Sequence, residues 1–381
     1  MWRVQLHKID YDEKEYQAVK EVLDSGWLTI SEKTRAFEAA FSQFLGRDTK
    51  SLAVSSGTAA LHMALLACGI GRDDEVITPA LTFIADQNVS MMCGAKNVLA
   101  DITSMEDWSA DPSDISARIT PKTKAVMIVH YAGFACDMER ITSLCKKHGL
   151  LLIEDCAHTP GAVYRNADGG EQPLGTFGDM AAFSFFANKN IAAGEGGMVV
   201  TRNEQLFEKL RLLRSHGMSV MSFDRYKGRA LSYDVEFPGL NYRINEISSA
   251  LGLVQLKKLQ NANEKRKNLV EHYYSRLDNL SSVSIPYRNF SRGKPNYHIM
   301  PILLSESTDR TAVIESMKQD GVQTSIHYPM IQNFSAYKDK INSTPKAEYV
   351  SAHELTLPLF PTMTKEEVDI VCSALAKAIE H

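Results

Sequence analysis

Continuous apolar runs separated by amphipathic helical stretches predict an α/β fold: a mostly parallel central sheet with helices on both faces, followed by a smaller C-terminal α+β part. Three observations carry this. The runs at 75–78, 97–101, 125–130, 150–155, 181–185 and 198–201 are largely apolar rather than alternating, with polar residues chiefly at their ends, the pattern of strands buried on both faces. A helical stretch at 138–148, with Ile141, Leu144 and Cys145 on one face, joins two of them, as a parallel sheet requires. Past residue 249 the chain becomes helix-rich with shorter strands, such as 298–304. Two domains are therefore expected, 1–248 and 249–381, linked by a long helix through residue 277.

Bulk properties narrow the class. The chain has 381 residues, 44% hydrophobic and 23% charged, with a net charge of −4. That length supports two domains and a large core, and that charge argues against a non-specific nucleic-acid or membrane surface. No apolar run reaches the length of a membrane span and the N-terminus lacks a signal-peptide core, so a cytoplasmic protein is expected. The six cysteines (68, 93, 136, 145, 156 and 372) show no paired spacing. Neither a disulfide framework nor a metal site is suggested, and buried free thiols are expected.

From the N-terminus, residues 12–23 read as a helix with Tyr16, Val19 and Leu23 at helical spacing. Gly26 and Trp27 follow in a turn that is either a capped helix end or a pocket-lining loop. A second helix from Glu32 is expected to bury Phe37, Phe41 and Phe44. The segment 52–66, LAVSSGTAALHMALL, runs from a strand through Ser55-Ser56-Gly57-Thr58 into a helix. Free amides at such a helix start suit a phosphate, and an ordinary Ser/Thr cap explains the same residues. Ligands of parallel sheets bind outside the carboxyl ends of the strands. Three features fall there: Thr82-Phe83, Asp155 and the stretch carrying Ser184 and Lys189.

Asp155 closes LLIED, where a carboxylate needs a cation or a donor. It either caps the next helix or holds a protonated ring nitrogen of a cofactor. Glu154 should point to the opposite face. Lys189 sits among apolar and small neighbours in AAFSFFANKNIAAGEGG (181–197). Desolvation disfavours an ammonium, and the neutral amine condenses with an aldehyde. Judged alone it is an ordinary surface lysine. The loop 238–243 reads as a turn with an asparagine cap before a helix bearing Ile247, Leu251 and Val254. His327 lies in GVQTSIHYP (321–329), where a lone histidine is more often structural.

Phosphate cradle, strand-end aspartate and desolvatable lysine form the set that pyridoxal 5'-phosphate demands. With SSGTAAL (55–61), EDCAH (154–158), FSFFANKNIAAGEGG (183–197) and GLNYRINEISSALGLVQL (239–256), the chain resembles the DegT/DnrJ/StrS sugar aminotransferases, a fold type I pyridoxal-phosphate group. The resemblance runs from Gly26-Trp27-Leu28 to about Pro361. It implies that Lys189 forms the Schiff base with the cofactor and shuttles the proton. Asp155 would pair with the ring nitrogen, His158 would lie near the ring hydroxyl in place of the commoner glutamine, and Phe83 would stack on the ring. Thr58, Ala59 and Ser184 would bind the phosphate, joined by Asn241 of the partner subunit, which implies a homodimer with shared sites.

Some members of the group carry histidine at the position of Lys189 and dehydrate their substrates; lysine here implies amine transfer. The implied cycle takes an amino group from L-glutamate, through pyridoxamine 5'-phosphate, to a keto group of a nucleotide-linked sugar. Gly26, Trp27, His327 and Tyr328 are the substrate-binding candidates. FSFFANKN resembles perosamine-type members, which points to C4 of a keto-deoxysugar. C3 amination, a cyclitol ketone with glutamine as donor, a cofactor-binding regulator without turnover, and a desulfurase or decarboxylase of the same fold are the alternatives.

Overall fold

The computed structural model describes residues 2–219, 232–337 and 342–380. Two helices open the chain, α1 (Glu13–Ser25) and α2 (Glu32–Leu45). Asp12 and Glu15 close a capping box at the start of α1, and Gly26 ends it at φ 69°, a conformation glycine adopts without strain. Then come β1 (Lys50–Val54), α3 (Gly57–Ala67), β2 (Glu75–Pro79), α4 (Ala85–Met92), β3 (Lys96–Ala100), α5 (Pro112–Ala117), β4 (Thr123–Val129), α6 (Met138–His148) and β5 (Leu151–Asp155). A short ribbon, β6 (Val163–Arg165) and β7 (Glu171–Pro173), leads to β8 (Met180–Ser184), β9 (Gly197–Thr201) and α7 (Glu204–Leu213).

The central sheet has the order β1-β9-β8-β5-β4-β2-β3. From β8 through β3 every pairing is parallel. The run at 198–201 differs from expectation, because β9 pairs antiparallel with both β1 and β8. Parallel neighbours need a long crossover, usually helical. Residues 185–196 instead form the loop carrying Lys189, so the chain turns straight back. Alternate strand residues serve two cores. Leu52, Val54, Met127, Ala182 and Val199 pack beneath α3, α4 and α7; Ala53, Phe183, Met198 and Val200 meet Phe37 and Phe41 of α2 on the other face. Both faces being covered explains why the runs read as continuously apolar.

Three packing expectations need correction. Phe44 is 38% exposed at the end of α2, where Leu45 takes the inward place. Tyr16 and Leu23 face solvent while Glu15 and Val22 are buried. The cause is Glu15, whose carboxylate accepts from Gln255 Nε2 at 2.8 Å and Lys258 Nζ at 2.7 Å and so rotates α1 inward. Cys68 and Cys93 are half-buried rather than buried, and all six cysteines are unpaired.

The second part comprises α8 (Glu246–Leu277), β10 (Val283–Ser284), β11 (Gly293–Lys294), β12 (Met300–Leu304), α9 (Arg310–Gln319), α10 (Pro345–His353), β13 (Glu354–Leu357) and α11 (Lys365–Ile379). Strand β12 lies between β10 and β13, while β11 joins the β6–β7 ribbon. Residues 248 and 249 lie in the first turn of α8. Its Leu259 belongs to the core under the large sheet and its Leu269 and Tyr273 to the core of the small one, which also takes Val4. Asn245 caps α8, and Ile247, Leu251 and Val254 are only half-buried, Ser249, Gly252 and Leu259 being the inward side. Among the described residues no helix is long and apolar enough to cross a membrane.

Candidate active site

The carboxyl ends of β2, β5 and β8 converge on one spot. Asp155 ends β5 with 6% exposure, and its Oδ1 accepts from the Ala157 amide at 2.8 Å. Glu154 points to the opposite face as strand alternation requires. There it accepts from the Gly175, Phe177 and Gly178 amides and pairs with His130, anchoring the segment before β8.

Lys189 lies in the loop after β8. Burial lowers its ammonium from the usual lysine value to about 8, and the Asp155 carboxylate keeps it from falling further. Its Nζ stands 3.5 Å from His298 Nε2, and His298 Nδ1 bonds Asn190 Oδ1 at 2.8 Å. An amide oxygen only accepts, so Nδ1 carries the hydrogen and Nε2 turns a lone pair to the lysine. Asn190 is fixed in turn, donating to Asn263 and to the Asn296 carbonyl. Burial, with the neighbouring Lys189 charge, holds His158, His298 and His327 below the usual histidine range, His327 at about 4.

His158 Nδ1 accepts from the Ala132 amide at 3.2 Å, so Nε2 carries its hydrogen and donates to Tyr328 Oη at 3.0 Å. The Tyr328 ring lies 5.8 Å from that of Phe83, which is 54% exposed. His327 is tied down by Glu354, which accepts from its amide at 2.7 Å, and by Thr356 Oγ1, 2.8 Å from Nδ1. Tyr131 Oη donates to its carbonyl at 2.6 Å. The structure thus brings His327 and Tyr328, distant in sequence, to the lysine and aspartate.

At the start of α3, Ser56 is the N-cap and its hydroxyl accepts from the Ala59 amide at 3.1 Å. The Gly57 and Thr58 amides are left without an intrahelical acceptor. A Cβ on Gly57 would stand 2.8 Å from Ser184 Cβ, and one on Gly197 would stand 2.4 Å from the Ser56 carbonyl. Only glycine lets the helix start come this close to the end of β8. The remaining candidates sit apart. Gly26 is exposed and Trp27 half-buried at the α1 turn, and neither lines the clefts beside Lys189. Asn241 is exposed, in a loop tied to β1 through the Tyr242 carbonyl and the Ser55 amide, 2.9 Å apart.

Residues 9–376 match the DegT/DnrJ/EryC1/StrS aminotransferase family. The chain belongs to that family. Its fold is shared with PseC of Helicobacter pylori, an aminotransferase involved in the biosynthesis of pseudoaminic acid, at 31% identity and a TM-score of 0.91, covering 99% of each chain. DesV of S. venezuelae, solved in complex with a ketimine intermediate, is 30% identical with a TM-score of 0.90 over the full length of both chains. Spr1654 of Streptococcus pneumoniae, described as a sugar aminotransferase and solved in its PLP form, is 27% identical with a TM-score of 0.89, covering 98% of this chain and 97% of its own.

As a DegT/DnrJ/EryC1/StrS member the chain is a pyridoxal-phosphate-dependent sugar aminotransferase. Its donor set fits that cofactor: a lysine poised between amine and ammonium, a buried aspartate, and two unused amides at a helix start. Sequence reasoning missed His298, Asn190 and Glu354. His298 and Glu354 are single polar residues in unremarkable stretches, Asn190 stands beside Lys189 without a pattern of its own, and only the packing of distant segments gives each its partner.

Proposed function

We propose that this aminotransferase moves an amino group from L-glutamate to the C4 keto group of a nucleotide-linked keto-deoxysugar, as a cytoplasmic homodimer with shared sites. The observation that carries the reading is Lys189, half-buried with its amine desolvated between Asp155 and a histidine lone pair. The FSFFANKN stretch supports C4, and the exposed Phe83 and Phe186 support a partner surface at the site.

Lys189 would hold the aldehyde of pyridoxal 5'-phosphate, Asp155 the ring nitrogen, Phe83 a ring face, and Ser184 with the Thr58 and Ala59 region the phosphate. To reach the phosphate, the Ala59 amide must leave the Ser56 hydroxyl. Asn241 of the partner subunit would complete the cradle. When bound, the cofactor supplies an electron-accepting ring next to the substrate carbon. Near neutral pH Lys189 is divided between amine and ammonium, as a group acting as base in one half-reaction and acid in the other must be. His298 aims Nζ through its lone pair, and the neutral imidazoles keep competing positive charge away from it. His158 Nε2 already donates a hydrogen bond to Tyr328, so the His158–Tyr328 pair together would meet the ring hydroxyl. His327 and Tyr328 line the sugar's approach, while Gly26 and Trp27 stand apart from the lysine of their own chain.

The test supplies L-glutamate with nucleotide-linked 4-keto and 3-keto sugars, follows 2-oxoglutarate, and locates the new amine by NMR. A C4 amine is expected. An amine at C3, or turnover only of a cyclitol ketone with glutamine, overturns the substrate assignment. Bound cofactor that reacts with no amino donor overturns the enzymatic reading in favour of a regulator.

A further inference from the structure

One ionisable group at the site has no task in this reading. Asp86, in the first turn of α4, is fully buried, and no described residue forms an ion pair with it. Thr82 Oγ1 donates to its Oδ2 at 2.6 Å, while Oδ1 lies buried with no hydrogen-bond partner. The Asp155 carboxyl is close enough for each of the two groups to act on the other's charge.

Two carboxylates in one dry site do not both keep a charge, because burial and mutual repulsion each oppose the second ion. Their surroundings decide which is neutral. Asp155 has the Ala157 amide, Lys189 and His130 to support its charge, whereas Asp86 has the Thr82 hydroxyl alone. The proton therefore belongs on Asp86, where it turns a carboxyl with one unpartnered buried oxygen into a donor within reach of Asp155's charge. Burial, then the Asp155 charge, push the Asp86 carboxyl well above the usual carboxylate range. Burial raises Asp155 as well, with the Ala157 amide and Lys189 opposing the rise.

We propose that Asp86 is a positioning residue, a neutral carboxylic acid that donates a hydrogen bond to Asp155, so that the pair presents one negative charge in a fixed orientation to the cofactor's ring nitrogen. What the pair faces rests on the pyridoxal-phosphate reading; the shared proton is a property of the chain by itself. Tyr328 is the other titratable group that feels both carboxyls. On the elements packed against α4 the titratable groups are His62, Glu75 and Lys96, of which His62 is held by Tyr242 and the other two by each other.

Infrared spectroscopy of the purified, cofactor-free protein at neutral pH tests the proton directly. A protonated-carboxyl C=O band that is lost in Asp86→Asn and kept in Glu354→Gln, the variant that removes the other buried carboxyl held protonated at this pH, is expected; a wild-type spectrum without this Asp86-dependent band overturns the proposal. Pyridoxal 5'-phosphate titration tests the role. Asp86→Asn keeps a donor without a titratable group, so affinity should stay within about threefold. Asp86→Leu removes the donor, raises the proton affinity of Asp155 and should weaken binding about tenfold or more. Equal affinities in the Asn and Leu variants overturn the positioning role. Wild-type protein that shows the band but takes up no cofactor overturns the functional reading and leaves the acid pair intact. Uptake without the band overturns the pair.

Discussion

Lys189 is made usable by its neighbours rather than by its own position in the chain. Replacing it with alanine removes both the covalent anchor and the proton carrier, and turnover with L-glutamate should fall by about 10³-fold or more; steady-state rates at saturating cofactor check this. His298→Ala leaves folding and cofactor uptake largely intact but frees the amine to wander. A loss of about 10- to 100-fold in kcat with little change in KM is expected, and unchanged kcat would remove His298 from the account. The sequence made Lys189, Asp155 and the Ser56–Thr58 turn visible because each marks a strand end. It could not show His298 or Asp86, since neither has a local pattern and each acquires its meaning only from a residue far away in the chain.

At the level of elements, the site depends on how closely α3 meets β8. Gly57→Ala would push a methyl group to 2.8 Å from Ser184 Cβ, and overpacking of this kind costs about 1–3 kcal/mol. The variant should melt earlier and bind pyridoxal 5'-phosphate more weakly, measured by thermal denaturation and titration. The start of α2 depends instead on α8. Ser31 gives it no side-chain cap, and the Glu246 carboxylate accepts from the Ser31, Lys33 and Thr34 amides. Glu246→Ala strands those donors, and a loss of about 2–4 kcal/mol in denaturant unfolding is expected. Strand positions were legible because burial on both faces leaves an unbroken apolar run. The direction of β9 was not, since an apolar run reads the same either way and only the missing crossover helix reveals the reversal. The inward face of α1 was hidden because a carboxylate, Glu15, occupies it.

Across the whole molecule, the buried titratable groups give stability an acid and an alkaline edge. His327 stays neutral in the fold down to about 4, while the unfolded chain takes up that proton below about 6.5. Its contribution is therefore full above pH 6.5 and lost as pH falls toward 4; His158 and His298 act in the same direction. Glu354 works oppositely, since burial raises its carboxyl to about 8. The unfolded chain releases that proton above about 4.3, so stability declines as pH rises from there to about 8. Glu354→Gln should remove this decline and raise Tm at pH 8 by about 2–4 °C relative to wild type, with little change at pH 5. Equal shifts at both pH values would contradict the assignment.

The central claim, a sheltered amine at residue 189 that takes up the aldehyde, has a direct measurement. Purified protein is incubated with pyridoxal 5'-phosphate, reduced with borohydride and mapped by peptide mass spectrometry. One pyridoxyl adduct on Lys189 is predicted; no adduct, or adducts confined to surface lysines such as Lys122, would contradict the account.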